Sequence, residues 1–242
     1  MHRRARHINA ASAGAMFVLD ARFINQADNT AVITWKDRSS NGYDVTQATG
    51  VNQPTLQTAE LGGSSIVRFD GSNDYLIRSD TGFPTSNLTI IGVHKQSSLI
   101  PSGGSYRSIL QYGSAALGQA IFHFYGDDTN VPNDGFGISN YGDAIGIQNA
   151  TLVYNIASTY RIGTTYYVRL NGGNADTKTM TVSTTLFGAN GLAIGSFNAA
   201  VGIGSYLGGD IGSVMVFNSA LNDSLRKRIE HSSAFSFKLI CA

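Results

Sequence analysis

The chain has 242 residues, 14% of them charged, with a net charge of +1, 28 glycines and a single cysteine. That length suffices to bury a sizeable core in one all-β domain. So neutral a composition excludes nucleic acid as the main partner, because phosphate binding needs a concentrated basic face. The lone Cys241 excludes an intrachain disulfide, and no apolar run approaches the ~18 residues of a membrane-spanning helix.

In chain order, the first feature is a basic arm over residues 1–16, where Arg3, Arg4 and Arg6 stand with His2 and His7. A secretory leader is the competing reading. It is set aside because residues 10–19 are Ala- and Ser-rich, weakly apolar, and run straight into a first strand. Termini are ordinarily disordered; this one is read instead as an assembly anchor, a strap that orders on a neighbouring subunit.

From residue 17 onward, short apolar or alternating segments are separated by Gly, Asn, Asp and Pro turns, which predicts antiparallel strands in a sandwich or barrel. The strands fall at 17–20, 66–69, 75–77, 88–94, 108–112, 120–125, 135–139, 151–157, 165–170, 178–182, 192–197 and 211–217. Gly62-Gly63, Asn171-Gly172-Gly173 and Gly208-Gly209 provide hairpin turns. In the strand at 120–125, Phe122 and Phe124 face one way and Ile121, His123 and Tyr125 the other. Alternation does not say which face is core.

The chain closes with a strand, a turn and a short amphipathic helix. Asn222 or Asp223 can cap the helix, and Leu225 and Ile229 share one face at i, i+4. Arg226, Lys227 and Arg228 are expected to face solvent, where cations suit the dipole.

Taken together, FVLDA (residues 17–21), Trp35 with Asp37, SNGYD (40–44), VRFDGSNDYL (67–76), LAIG (192–195) and GDIGSVMVFNSAL (209–221) form an ordered succession. It resembles the laminin-G-like, concanavalin A-like jelly-roll domains of bacterial surface proteins and bacteriophage virion proteins, over residues 17–235. The resemblance implies an all-β, two-sheet antiparallel jelly-roll sandwich over residues 17–242, with one short C-terminal helix. Relatives of this kind bind carbohydrate on the curved sheet or at its rim, hold calcium there, or make protein contacts only. Fold therefore leaves function open. Trp35, Asp37, Phe69, Asp70, Gly71, Asp74 and Tyr75 follow the fold rather than one activity, so they are read as structural: rings filling core, carboxylates pinning loop amides.

Glycoside hydrolysis usually needs two carboxyl groups flanking the bond. The chain has two glutamates, Glu60 in an expected loop and Glu230 on the helix, and no predicted strand carries two aspartates at i, i+2 or i, i+4. The E-x-D-x-x-E pattern of hydrolytic relatives is absent. So is a G-x-S-x-G elbow, and the Gly202–Gly208 run only mimics a phosphate loop. The five histidines are dispersed, apart from the His2/His7 arm, which argues against zinc.

Calcium is the one cofactor with a candidate: Asp127, Asp128, Asn130, Asn133 and Asp134 crowd an expected loop, GDDTNVPNDG, and hard cations want several oxygens from a flexible loop. The alternative is that these are ordinary turn-formers. Sugar binding needs an exposed ring for the apolar face of a pyranose with polar groups beside it; Tyr106, Tyr125, Tyr141 and Tyr160 are the candidates.

The reading is a non-enzymatic phage virion protein, folded in the host cytoplasm. Its arm anchors it to other virion proteins in a homo-oligomeric capsid or tail decoration, and its sandwich is displayed toward host-surface glycan. The alternatives are a free carbohydrate-binding module or adhesin, secreted or on a bacterial surface, and a glycan hydrolase.

Overall fold

A computed structural model describes residues 10–11, 13–79, 87–100, 106–113, 120–128, 131–140, 143–148, 152–180, 191–199 and 202–241. At 120–122, 127–128, 131–134, 198–199 and 202–204 it describes the backbone alone. The chain runs β1 (Phe17–Asp20), a 3-10 turn (Ala21–Phe23), β2 (Thr30–Ala31), β3 (Thr34–Trp35), β4 (Val45–Thr46), a second 3-10 turn (Gly50–Asn52), β5 (Thr55–Leu61), β6 (Ser64–Asp70), β7 (Leu76–Arg78) and β8 (Leu88–Gln96). It continues through β9 (Tyr106–Gly113), β10 (Ala120–Asp128), β11 (Val131–Ser139), β12 (Ala144–Ile147), β13 (Asn155–Ile162), β14 (Thr165–Leu170), β15 (Asp176–Thr179), β16 (Leu192–Ile194), β17 (Phe197–Ala199), β18 (Gly202–Gly204) and β19 (Gly208–Phe217) to helix α1 (Asp223–Phe237).

Among the described residues the strands form two large antiparallel sheets and a small ribbon, a two-sheet sandwich with one C-terminal helix. The first sheet has the order β15-β14-β13-β8-β19-β6-β5-β2, with β1 also paired to β19. The second has the order β12-β11-β10-β9-β16-β7-β4-β3, and β17 pairs with β18.

Alternation builds three apolar layers. Between the sheets, Val67, Phe69, Ile90, Val214 and Val216 of the first meet Trp35, Leu76, Leu110, Tyr125 and Phe136 of the second. The opposite face of the first sheet presents Ile66, Ile91, Val93, Ile156, Met215 and Phe217 to Ile229, Ala234 and Phe237 of α1. On the far side of the second sheet, Phe124 and Ala144 pack with Phe197. Tyr125 and His123 therefore face the inter-sheet core and Phe124 faces away, which resolves the alternative left open by alternation.

The helix begins where its sequence directs: Asn222 caps it, its side chain accepting from Leu225 N at 2.9 Å. At the other end Lys238 takes a left-handed conformation (φ 53°) against the β5–β6 hairpin. Gly62, itself at φ 59°, sits so close that a Cβ there would lie 2.7 Å from Phe237 O, so only glycine lets the hairpin receive the helix end.

Several expectations are corrected. Arg226 does not face solvent; it is buried beneath α1 with Glu230. Glu60 lies in strand β5, not a loop. The expected strand at 151–157 is Asn155–Ile162 instead, because Leu152 and Val153 stay exposed. GDDTNVPNDG is not one loop. β10 runs to Asp128 and β11 starts at Val131, paired Asp128↔Val131, so Asp127, Asp128, Asn133 and Asp134 are strand residues.

Residues 1–9, with Arg3, Arg4 and Arg6, lie outside the described residues. Of the remainder of the expected arm, Ala10 and Ala15 are buried in the layer under α1, and Met16 N donates to Val216 O at 2.9 Å.

Candidate functional site

The most exposed ring beside polar clefts is Phe23, and the local sequence explains why it is there. Asp20 ends β1 and caps the 3-10 turn, its carboxylate accepting from Arg22 N (3.1 Å), Arg22 Nε (2.9 Å) and Arg22 Nη2 (2.5 Å). Arg22 is thereby folded back, its guanidinium 4.9 Å from the Phe237 ring. Phe23, the next residue, is turned outward and stays 58% exposed.

Arg38 lies over the Phe23 ring at 4.4 Å, and the loop that carries it is built by Asp37. The Asp37 carboxylate accepts from Val18 N (2.9 Å), Ser39 N (2.8 Å), Ser39 Oγ (2.6 Å) and Tyr43 N (2.9 Å). Arg38 N in turn donates to Val18 O at 2.8 Å.

Phe23, Arg38 and Asp20 form a ridge shared by two clefts. One, of about 250 Å³, runs toward α1 past Arg22, Ser213, Ser233 and Phe237. The other, of about 280 Å³, is lined by Asn25, Gln26, Thr34, Trp35 and Lys36. Each is lined by a residue with a buried polar atom that has no hydrogen-bond partner among the described residues: the Ser213 hydroxyl in the first and the Trp35 indole N–H in the second. A buried donor without a partner costs roughly 1–3 kcal/mol, which a ligand oxygen would recover.

A second polar cluster lies on the same outer face of the first sheet. Arg68, Lys95 and Asp210 stand cross-strand on β6, β8 and β19. The Asp210 carboxylate accepts from Arg68 Nε (2.8 Å), Arg68 Nη2 (3.1 Å) and Tyr154 OH (2.6 Å), with Lys95 Nζ at 3.3 Å. Burial works against this carboxylate, yet Arg68, Tyr154 and Lys95 hold it below the usual range. Burial and the same carboxylate push the Tyr154 phenol upward. Asp210 is thus an ion-paired strand residue with every oxygen engaged.

Between the sheets the fold brings together two histidines 29 residues apart. His94 Nε2 lies 3.2 Å from His123 Nε2, His94 Nδ1 lies 2.6 Å from Tyr125 OH, and His123 Nδ1 lies 3.2 Å from Thr159 Oγ1. Gly92 leaves the room: a Cβ there would lie 3.0 Å from His94 and 3.4 Å from His123 Nε2. Asn155 has both ends of its amide engaged elsewhere, its oxygen accepting from Asn171 Nδ2 at 2.9 Å and its Nδ2 donating to Val153 O at 2.9 Å. A neutral imidazole carries one N–H, so the run Tyr125–His94–His123–Thr159 is satisfied when every proton points the same way along it. Burial holds His94 down to about 3 and His123 well below the ordinary value, with His94 beside it contributing. Both rings are neutral.

Of the tyrosines proposed for sugar, Tyr106 is 39% exposed, its ring edge-on to Phe124 at 5.4 Å. Tyr125 is corrected: it is fully buried in the histidine chain, because its strand turns that face to the core. Tyr160 is corrected too, being stacked on Tyr167 at 4.4 Å and covered by Arg226 at 4.5 Å. Tyr141 lies outside the described residues, as does Asn130, and the side chains of Asp127, Asp128 and Asp134 do also. Among the described residues no group of three or more His, Cys, Asp or Glu is placed to hold a metal ion.

The family-like residues behave as structural ones. Trp35 and Phe69 are core. Asp70 Oδ1 accepts from Ser72 N and Asn73 N at 2.8 and 3.1 Å, and Asp74 Oδ2 accepts from Asp70 N at 2.9 Å. Burial, with Asp70 beside it, raises Asp74 to about 6. Phe23 and Arg38, by contrast, are not found from the sequence, because they meet only through the loop that Asp37 pins.

No family model and no curated protein matches the sequence. Among solved structures, the chain is similar to a Trypanosoma rangeli sialidase in complex with 2,3-difluorosialic acid, with TM-score 0.61 and 15% identity over 91% of this chain and 33% of that one. It is also similar to a GH54 α-L-arabinofuranosidase soaked with 4-nitrophenyl α-L-arabinofuranoside, with TM-score 0.63 and 11% identity over 95% of this chain and 60% of that one. A carbohydrate-binding module of a Ruminococcus gnavus IT-sialidase aligns over 62% of this chain and 84% of its own length, at TM-score 0.47 and 16% identity. The chain thus spans about a third of the sialidase and 60% of the arabinofuranosidase. At such identities the likeness to the sialidase and the arabinofuranosidase is one of fold alone, a two-sheet antiparallel sandwich.

Proposed function

We propose that this chain is a non-catalytic glycan-binding module displayed on a virion surface, and that it takes its glycan in the groove at Phe23 and Arg38. The observation that carries the glycan part is the exposed Phe23 ring between two polar-lined clefts, the pairing of apolar face and converging donors that a pyranose requires. The choice of binding over hydrolysis is supported by the groove's carboxyl inventory. Asp20 is the one carboxylate lining either cleft among the described residues, and it is engaged by Arg22, whereas hydrolysis usually needs two.

The virion assignment is supported by the laminin-G-like resemblance and by a chain that needs no disulfide. In this reading the basic residues 1–9 anchor the protein to other virion proteins in a homo-oligomer. A free carbohydrate-binding module or adhesin on a bacterial surface is the alternative.

Two measurements test the proposal. On a glycan array followed by titration of the best ligand, Phe23→Ala should weaken binding about tenfold or more, roughly 1.4 kcal/mol, with an unchanged unfolding midpoint. A silent array, or equal affinity of the variant, counts against the site. Removing residues 1–9 should abolish incorporation into particles while the domain stays folded; normal incorporation sinks the anchoring role.

A further inference from the structure

The two clefts beside Phe23 are not chemically balanced. In the helix-side cleft the only described carboxylate, Asp20, already accepts three hydrogen bonds from Arg22, so the Arg22 charge is cancelled. Arg38 is different. Its guanidinium is exposed, rests on Phe23, and makes no ion pair among the described residues. Ser213 is 1% exposed and lines the cleft, and its hydroxyl has no hydrogen-bond partner among the described residues. Across the ridge, Lys36 adds a second cation without an ion pair among the described residues.

A neutral sugar offers hydroxyls that both donate and accept, and is best met by a mixture of both kinds of group. The described lining of this cleft holds one unpaired cation, Arg38, no free carboxylate, and the hydroxyls of Ser213, Ser232, Ser233 and Ser236, each of which can donate as well as accept. A ligand that only accepts, and does so with charge, fits that inventory, because ionised hydrogen bonds to a guanidinium are shorter and about twice as strong as neutral ones.

We infer that the helix-side cleft is an anion subsite, and that the glycan bound at Phe23 is acidic, its carboxylate or sulfate held by Arg38 and Ser213. This rests on the reading of the Phe23 groove as a glycan site. The apolar face of the sugar lies on the ridge and its anionic group lies toward α1.

The test uses the intact chain and four probes: an oligogalacturonate, its neutral methyl ester, a sulfated oligogalactan and sodium sulfate alone. The expected result is that one of the acidic saccharides binds at least about tenfold tighter than the ester at low salt, and that the advantage shrinks as ionic strength rises. Arg38→Gln, which keeps a planar hydrogen-bonding group but not the charge, should bring the acidic ligand down to the affinity of the ester. Ser213→Ala should cost it several-fold and leave the ester unchanged. Which of the two acidic saccharides wins identifies the anion.

Equal affinity for the acidic probes and the ester overturns the inference and leaves the glycan site standing. Binding of sulfate alone with no saccharide supports the subsite and overturns the glycan reading. Silence from all four probes overturns both. Unchanged unfolding midpoints in the variants establish that lost affinity is not lost fold.

Discussion

The first sheet buries polar groups on both faces and handles them in opposite ways. On the inner face His94 and His123 are fully buried, neutral, and satisfied by a run of hydrogen bonds from Tyr125 to Thr159. On the outer face, under α1, Arg226 and Glu230 are as deeply buried but carry opposite charges. Glu230 accepts from Ser158 Oγ at 2.6 Å, lies 3.5 Å from Arg226 Nε and 3.8 Å from Arg169 Nη2, and Arg226 also rests on Tyr160. Histidine can shed its proton to enter a dry core, whereas arginine cannot, so burying arginine requires a counter-ion. The inner cluster is therefore the part of the molecule sensitive to acid, and the outer cluster the part sensitive to mutation.

The largest effect is expected from Glu230→Ala. It leaves Arg169 without its carboxylate and Arg226 with the exposed Asp223 alone, and breaking such a buried pair costs about 3–5 kcal/mol, or on the order of 10 °C in a domain of this size. Thermal unfolding measures it; a loss below ~1 kcal/mol would mean that water reaches the site.

Acid comes next. The unfolded histidines titrate near the ordinary value of 6.5 while the folded ones resist protonation, His94 down to about 3. Stability is therefore full above pH ~6.5 and falls as pH drops below it, by up to ~1.4 kcal/mol per pH unit for each ring. Asp74, raised to about 6, titrates in the opposite sense over the same range and offsets part of the slope. Denaturant unfolding between pH 6.5 and 4.5 should show a net loss of roughly 2–3 kcal/mol. A variant with both histidines replaced by glutamine should show a flat or reversed slope.

Tyr125→Phe removes the hydroxyl bonded to His94 Nδ1 and leaves that buried nitrogen unpartnered, at a cost of about 1–3 kcal/mol. Nitrogen NMR should then show His94 losing its single tautomer. The smallest change is expected from Asp210→Asn. Arg68 and Lys95 are partly exposed and can turn to water, so a loss of about 1 kcal/mol is expected.

Much of this architecture is legible in residue pattern, because burial of one face imposes alternation. The segments at Phe17–Asp20 and Thr165–Leu170 are strands over the predicted span, and Asn222 caps the helix as its chemistry requires. The two-residue strands Thr30–Ala31, Thr34–Trp35 and Val45–Thr46 are too short to show a period. Arg226 was misplaced because a basic triplet on a helix reads as solvated unless the facing strand is known to bring Ser158 and Arg169 beneath it. The candidate site is less legible still: Phe23 and Arg38 meet through a loop pinned by Asp37, and His94 meets His123 across two sheets. Both are products of tertiary contact between segments with no local signal.

The position of β19 has a consequence for synthesis. The last strand of the chain does not lie at an edge; it pairs with β1, β6 and β8 in the interior of its sheet. Until that strand leaves the ribosome, β6 and β8 have no neighbour between them, and the first strand waits for a partner some two hundred residues away. Pairing at such separation is slow, and the open strand edges it leaves are prone to associate with other chains. The domain is thus built to fold after its synthesis rather than during it, and truncation anywhere before Phe217 should yield an aggregating chain instead of a smaller sandwich.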